Sequence, residues 1–172
     1  MDKHPDAFGF SVSHTTRGPR PQEVHGQHYH FVPEEEFQKG IESGDFVEHA
    51  HVHGSYYGTS HTEIKGVMNN KKICILDIDV QGVAKVQLHP TLTCRHVFIM
   101  PPSIAVLEER LRGRQTETED KIQKRLGNAQ KEIDFAQSAD KPFDAIIVNA
   151  DVEKATDELL VLLKQWHPEY KW

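Results

Sequence analysis

The chain has 172 residues, a net charge of −6 with histidine neutral, and 37% hydrophobic against 27% charged residues. That is the length of one compact domain with room for a small inserted lobe, and it excludes a multidomain scaffold and a low-complexity disordered chain. The acidic balance argues against a nucleic-acid surface, and no apolar run approaches the roughly 20 residues that span a bilayer. Met1-Asp2-Lys3-His4-Pro5 holds no apolar signal core, so the expectation is a cytoplasmic protein without membrane or nucleic-acid partners. Cys74 and Cys94, the only cysteines, lie in apolar segments and read as reduced, buried thiols.

In chain order, Phe8 to Ser13, Tyr29 to Val32 and Phe46 to Val52 read as short strands of a small, partly antiparallel lobe. Pro33 suits the first turn of a helix that ends before Gly44, and Ser60-His61-Thr62-Glu63 has the form of a capping box. The runs Ile73 to Leu76, His96 to Met100 and Ala145 to Val148 predict strands buried on both faces of a parallel sheet. Ser103 to Gly113 and Val152 to Trp166 carry apolar residues at helical spacing and predict crossover helices. Thr118 to Gln137 also predicts a helix, one whose charge-rich surface covers the body only loosely.

Ser13-His14-Thr15-Thr16-Arg17-Gly18-Pro19-Arg20, with Tyr29 beyond it, sets hydroxyls and guanidiniums at a strand end. Arginine forks meet two phosphate oxygens at once, although a solvated turn fits the spacing as well. Glu48 precedes Gly54-Ser55-Tyr56-Tyr57-Gly58-Thr59, and a buried carboxylate there would accept from a purine N1–H and exocyclic amine. Asp77 and Asp79 stand at the exit of an apolar strand, where open α/β sheets bind ligands and where an Asp often faces Mg²⁺; an ordinary polar strand exit is the alternative. Arg110, Arg114 and Arg125 flank Gln115-Thr116-Glu117-Thr118-Glu119 and could close over polyphosphate, or be merely solvated. His49, His51 and His53 alternate, which places them on one strand face; no Cys joins them, and a physiological metal site is not expected.

Taken together, Phe8-Gly9-Phe10-Ser11-Val12-Ser13-His14-Thr15-Thr16-Arg17, Tyr56-Tyr57-Gly58-Thr59-Ser60, Ile75-Leu76-Asp77-Ile78-Asp79 with Gln81-Gly82-Val83, and Thr116-Glu117-Thr118-Glu119 resemble the guanylate kinase family, in family order from Phe8 to about Leu163. The resemblance implies an α/β fold of the P-loop-type nucleoside monophosphate kinase class. Its parts would be a GMP-binding lobe of mixed sheet (about 13–71), a parallel-sheet core (about 72–109 and 139–172) and a helical lid (about 110–138). It implies transfer of the ATP γ-phosphoryl group to GMP with Mg²⁺ as cofactor. Arg17, Arg20, Tyr29 and Tyr57 would hold the GMP phosphate, and Ser13, Glu48, Thr59 and Asp79 would surround the guanine. Asp77 would lie near the Mg²⁺ without ligating it directly. Arg110, Arg114 and Arg125 would neutralise the transferring group, with Arg110, Arg114 and Asn149 toward ATP.

The family's opening strand, Gly-rich phosphate loop and helix lie upstream of the segment matching Phe8. Here seven residues precede Phe8, and no Gly-x-x-x-x-Gly-Lys-[Ser/Thr] occurs. The sequence therefore reads as N-terminally truncated, with weak or no kinase activity in this form. A monomer is expected of the full family fold, and self-association through open sheet edges of the shortened one. The alternative function is a non-catalytic, guanylate-kinase-like module that binds GMP or a protein.

Overall fold

A computed structural model describes residues 4–113, 118–138, 140 and 142–172. The chain divides into two compact units, Met1–Cys94 with Lys171–Trp172, and Arg95–Tyr170.

The first unit opens with β1 (Phe8–Phe10), β2 (His14–Thr15) and β3 (His30–Phe31), followed by α1 (Glu34–Glu42), β4 (Phe46–Val52) and β5 (Ser55–Ser60). It ends with α2 (His61–Asn69), β6 (Ile73–Ile75) and α3 (Val80–Gln87). β1 does not join the lobe as its sequence suggested. It pairs in parallel with β6, Phe8 opposite Ile73 and Phe10 opposite Ile75, because Phe8 is buried against Trp172 and Gly9 lets the backbone approach Val67 of α2. The bond from Ser11 N–H to Ile75 O (3.0 Å) is the last of this ladder, after which the chain passes into the lobe.

The lobe is a four-stranded mixed sheet in the order β3-β2-β5-β4, with β2 and β3 parallel and the other pairs antiparallel. β4 and β5 form a hairpin closed by His53 (φ 53°) and Gly54 (φ 84°), the backbone signs of a two-residue type I′ turn. His53 therefore sits in the turn, not on the strand, and the expected face of His49, His51 and His53 does not form. Ser60 caps α2 by accepting from Glu63 N–H (3.3 Å), whereas the Glu63 carboxylate, free of the reciprocal half of a capping box, accepts from His30 Nε2–H (3.0 Å). α1 packs Phe37, 1% exposed, onto Phe46 (4.5 Å between centroids, 19°) and Tyr56 (5.5 Å). A Cβ on Gly58 would lie 2.9 Å from Phe37 Cζ and 3.2 Å from Glu48 O, so this position of β5 has room for glycine alone.

The second unit contains β7 (Val97–Met100), α4 (Ile104–Gly113), α5 (Glu119–Ala136), β8 (Ala145–Val148) and α6 (Val152–Trp166). β7 and β8 pair in parallel, with Val97 opposite Ala145. The expected single parallel sheet is thus described as two two-stranded ones, β1-β6 and β7-β8. Burial on both faces also fails. Ile147 is 0% exposed, but Ile146 and Val148, on the other face of β8 by the alternation of a strand, are 37% and 45% exposed, and Ile99 of β7, the partner of Ile147, is 48% exposed. Asp151 caps α6 by accepting from Lys154 N–H (2.9 Å). Cys74 and Cys94 are free and half-buried, and burial raises the Cys74 thiol to about 11. Among the described residues, no helix is long and apolar enough to cross a membrane.

Two measurements test this packing. Phe37→Ala removes the largest fully buried side chain and is expected to cost about 3–5 kcal/mol of lobe stability in urea unfolding. His14 stacks on His30 (4.5 Å, 28°), and burial, then the neighbouring His30, lower its pKa from 6.5, against Glu63 and Glu36, which raise it. The fold thus disfavours protonated His14: its stabilising contribution is complete above pH 6.5 and lost as pH falls through the lowered value. The thermal midpoint should drop over that range, and less steeply in His14→Phe.

Candidate functional site

The β4-β5 register sets Glu48 opposite Thr59, with an irregularity between Phe46 and Glu48 turning the carboxylate inward. Glu48 is 4% exposed, Thr59 0% and Ser13 7%. Thr59 Oγ1–H donates to Glu48 Oε1 (2.5 Å). The other oxygen, Oε2, would lie 2.8 Å from a Cβ on Gly82, so only glycine lets the first turn of α3 come this close. Asp79 caps that turn through Oδ1, which accepts from Gly82 N–H (2.8 Å), while Oδ2 accepts from Gln81 (3.1 Å). Burial raises the Glu48 pKa above 4.5, the Asp79 charge adds to the rise, and the Thr59 hydrogen bond and Lys85 oppose it. Lys85 Nζ donates to the His49 carbonyl beside it. The result is a buried carboxylate with unused acceptor capacity, which fits a partner offering adjacent N–H donors.

Beyond β2, Arg17 is held on several sides. Its guanidinium lies 5.3 Å from the centroid of Tyr29 and 5.8 Å from that of Phe31, and Nη1 donates to Gly18 O (2.7 Å). Nη1 and Nη2 also donate to Glu23 Oε2 and Oε1, both at 2.9 Å. Tyr57 interacts with Arg17 too, after Glu23 the next group that raises its pKa, and meets Tyr29 edge to face at 6.0 Å. Burial, then the charge of Asp77, raises the Tyr29 pKa above 10, so its phenol stays an O–H donor. Asp77 lies just past β6, reachable by solvent, yet the protein around it desolvates its carboxyl and raises its pKa. A guanidinium and two phenols converge here, the donor set that an anionic oxygen cluster requires.

All the residues expected around GMP thus lie in the first unit, with Asp77. Arg110, Arg125 and Asn149 lie in the second, and Arg114 falls outside the described residues with Gln115, Thr116 and Glu117. Arg110 reaches Ala150 O at 3.4 Å, a weak contact. Asn149 N–H donates to Met100 O (2.8 Å), and among the described residues its buried side-chain Oδ1 has no hydrogen-bond donor. The sequence reading did not single out Glu23, Gly82 or Lys85 as site residues. Glu23 comes back onto Arg17 through a turn over Pro21 and Gln22, closed by Glu23 N–H to Arg20 O (3.0 Å), and the Pro-x-Glu spacing after the arginines was its one available signal.

A family model described as guanylate kinase matches residues 1–166. The chain belongs to the guanylate kinase family. It is 48% identical over 163 residues to guanylate kinase 1 of Oryza sativa subsp. japonica, covering 95% of this chain but 42% of that protein. Against the guanylate kinase of Schizosaccharomyces pombe it is 51% identical over 159 residues, 92% of this chain and 78% of the relative. The pig enzyme is 46% identical over 160 residues, 90% and 77% of the two chains. A crystal structure of guanylate kinase from Anaplasma phagocytophilum superposes with a TM-score of 0.75 at 32% identity, covering 95% of this chain and 78% of that one. The mixed and parallel sheets accord with the nucleoside monophosphate kinase fold of this family.

A role for Glu48 as acceptor of guanine N–H groups would require its ionised form. Because its pKa stands above 4.5, guanosine affinity is expected to hold at neutral pH and to fall as pH drops through that raised value; guanosine has no phosphate to titrate in the same range. Glu48→Gln should abolish the pH dependence and weaken guanosine by about 1–3 kcal/mol. Titration calorimetry at pH 7 and pH 5 measures both.

Proposed function

We propose that this chain binds GMP in its first unit and presents the GMP phosphate for phosphorylation by ATP, giving GDP and ADP. The observation that carries this reading is the pairing, within one compact unit, of a buried carboxylate beside Thr59 with an arginine flanked by two tyrosines. Guanine offers N1–H and a 2-amino group side by side, which satisfy Glu48; adenine has no donor at N1, so AMP would leave the acceptor capacity of Glu48 beyond the Thr59 bond unused. Ser13, Thr59 and Asp79 surround the base, and Arg17, Arg20, Tyr29 and Tyr57 take the phosphate oxygens.

In the transfer step a GMP phosphate oxygen attacks the γ-phosphorus of ATP, the new O–P bond forms, and the bond to the β–γ bridging oxygen breaks, leaving ADP. No protein atom is bonded in between, so the residues contribute position and charge. Arg17 holds the nucleophile and offsets its negative charge, and Arg110, Arg114 and Arg125 stabilise the charge of the transferring group. Asn149 Oδ1, buried and unpartnered, suits the 6-amino group of adenine. Asp77, a desolvated but solvent-reachable carboxylate, fits the surroundings of a hydrated hard cation, and Mg²⁺ there would neutralise the polyphosphate.

Arg17→Ala is expected to weaken GMP by about tenfold or more in calorimetry and to leave guanosine unchanged, because the charge-assisted contact to the phosphate is lost while the base side of the site at Glu48 keeps its own contacts. Equal losses for both ligands would give Arg17 a structural role instead. The 172 residues hold no Gly-x-x-x-x-Gly-Lys-[Ser/Thr] sequence, so GDP formation by these residues alone is expected to be slow. It should rise when a family strand, Gly-rich loop and helix are fused ahead of Phe8. GMP binding that never leads to turnover in the fused protein would favour a binding module.

A further inference from the structure

Glu23 is a carboxylate in direct contact with the proposed phosphate clamp, and its geometry is unusual for a surface acid. Both oxygens are used on Arg17, Oε1 from Nη2 and Oε2 from Nη1 at 2.9 Å each, and Oε2 also accepts from Arg20 N–H at 2.6 Å. The side chains of Arg17 and Glu23 are 18% and 16% exposed, so the pair is largely withdrawn from screening by water. The turn that delivers Glu23 places Gln22 at φ 73°, a left-handed conformation that L side chains avoid. The chain accepts a strained residue where glycine would be relaxed and gains a carboxylate that ties one arginine's side chain to the other's backbone.

The donor inventory of Arg17 shows what that tie accomplishes. Glu23 takes one hydrogen of Nη1 and one of Nη2, and Gly18 O takes the other hydrogen of Nη1. The hydrogens that Glu23 and Gly18 O leave are Nε–H and the second one on Nη2, which lie along a single edge of the planar guanidinium and form a second fork, with Tyr57 also interacting with the guanidinium. We propose that Glu23 is a positioning residue: it occupies the outer fork of Arg17 and fixes the Arg20 backbone, so that the Nε/Nη2 edge of Arg17 is presented to the substrate phosphate in one orientation. Held by the arginine and then by the Arg20 amide, Glu23 has its pKa lowered to about 2, so the tie stays charged throughout the working pH range.

Orientation is the reason a carboxylate helps here and does not simply compete. An untethered arginine must lose the freedom of a long side chain when it grips phosphate, whereas one already fixed by Glu23, Tyr29 and Phe31 has lost it in folding. The cost is partial neutralisation of Arg17, which the phosphate has to share with Glu23.

This inference rests on Arg17 being a phosphate ligand, and the experiment separates the two. GMP and guanosine are titrated by calorimetry into the 172-residue chain and into Glu23→Gln, Glu23→Asp, Arg17→Ala and the double variant Glu23→Gln/Arg17→Ala, each first checked for an unchanged circular dichroism spectrum. Glu23→Gln keeps the shape and is expected to weaken GMP about tenfold with guanosine unchanged; Glu23→Asp should recover part of the loss; and Glu23→Gln should add nothing once Arg17 is alanine. GMP affinity that is unchanged or tighter in Glu23→Gln overturns the proposal, the latter because the carboxylate would be competing with the phosphate. Parallel loss of guanosine and GMP overturns it in favour of a structural role. An Arg17→Ala variant that binds GMP normally removes the phosphate clamp itself, whatever Glu23 does.

Discussion

A carboxylate cannot be buried at Glu48 unless its surroundings hydrogen-bond it or lower its charge, and much of the lobe follows from that constraint. The β4-β5 register sets Thr59 opposite Glu48, so the Thr59 hydroxyl reaches one oxygen. β5 can approach β4 and α1 only because position 58 is glycine, and α3 can reach the second oxygen only because position 82 is glycine. Asp79, in capping α3, fixes the turn that carries Gly82. The Asp79 charge works against ionisation of Glu48, and Lys85 offsets part of that effect. Burial and Asp79 thus push the Glu48 pKa up while Thr59 and Lys85 hold it down, and among the described residues no ion pair occupies its oxygens.

The phosphate side answers the opposite problem. The chain is acidic overall, with a formal charge of −6, so the phosphate dianion proposed to bind here would be drawn in by local arrangement and not by the field of the whole protein. Arg17 is made local and stiff by two aromatic faces, a backbone carbonyl and Glu23. Tyr29 and Tyr57 supply neutral donors that carry no desolvation penalty comparable to a second cation. One acidic residue beside the arginine thus fixes its orientation while offsetting part of its charge.

Sequence patterning showed the helices well where they bury an amphipathic stripe or carry a cap. α6 spans Val152–Trp166 as the spacing of its apolar residues predicts, and Ser60 caps α2 as expected. β1 was misassigned because Phe8-Gly9-Phe10 carries no mark of its partner; parallel pairing with β6 is a contact across more than sixty residues of sequence, fixed by burial of Phe8 and not by local preference. α3 was not anticipated, since Val80-Gln81-Gly82-Val83 has a glycine that lowers helix propensity, and its start depends on the Asp79 cap. The identity of the candidate site residues was legible through ordered motifs. What the motifs did not disclose was that Arg17 is already engaged, because Glu23 reaches it through a strained turn at Gln22 that no propensity favours.

β3 has two paired residues, and its position depends on the bonds His30 N–H to Ser13 O (2.9 Å) and Val32 N–H to Thr15 O (3.0 Å) together with side-chain contacts. Two ladder bonds do not hold a strand by themselves. The stack of His14 on His30 and the bond from His30 to Glu63 of α2 supply the remainder, so the hold on β3 comes from β2 and α2 at once. Tyr29 is the residue before this strand and Arg17 lies two residues past β2, so the same cross-strand pair that secures β3 sets the spacing between the phenol and the guanidinium. Anchoring this segment through side chains leaves its backbone lightly paired, so that it would be able to adjust to the phosphate proposed to bind beside Tyr29, while the aromatic contacts keep it from leaving.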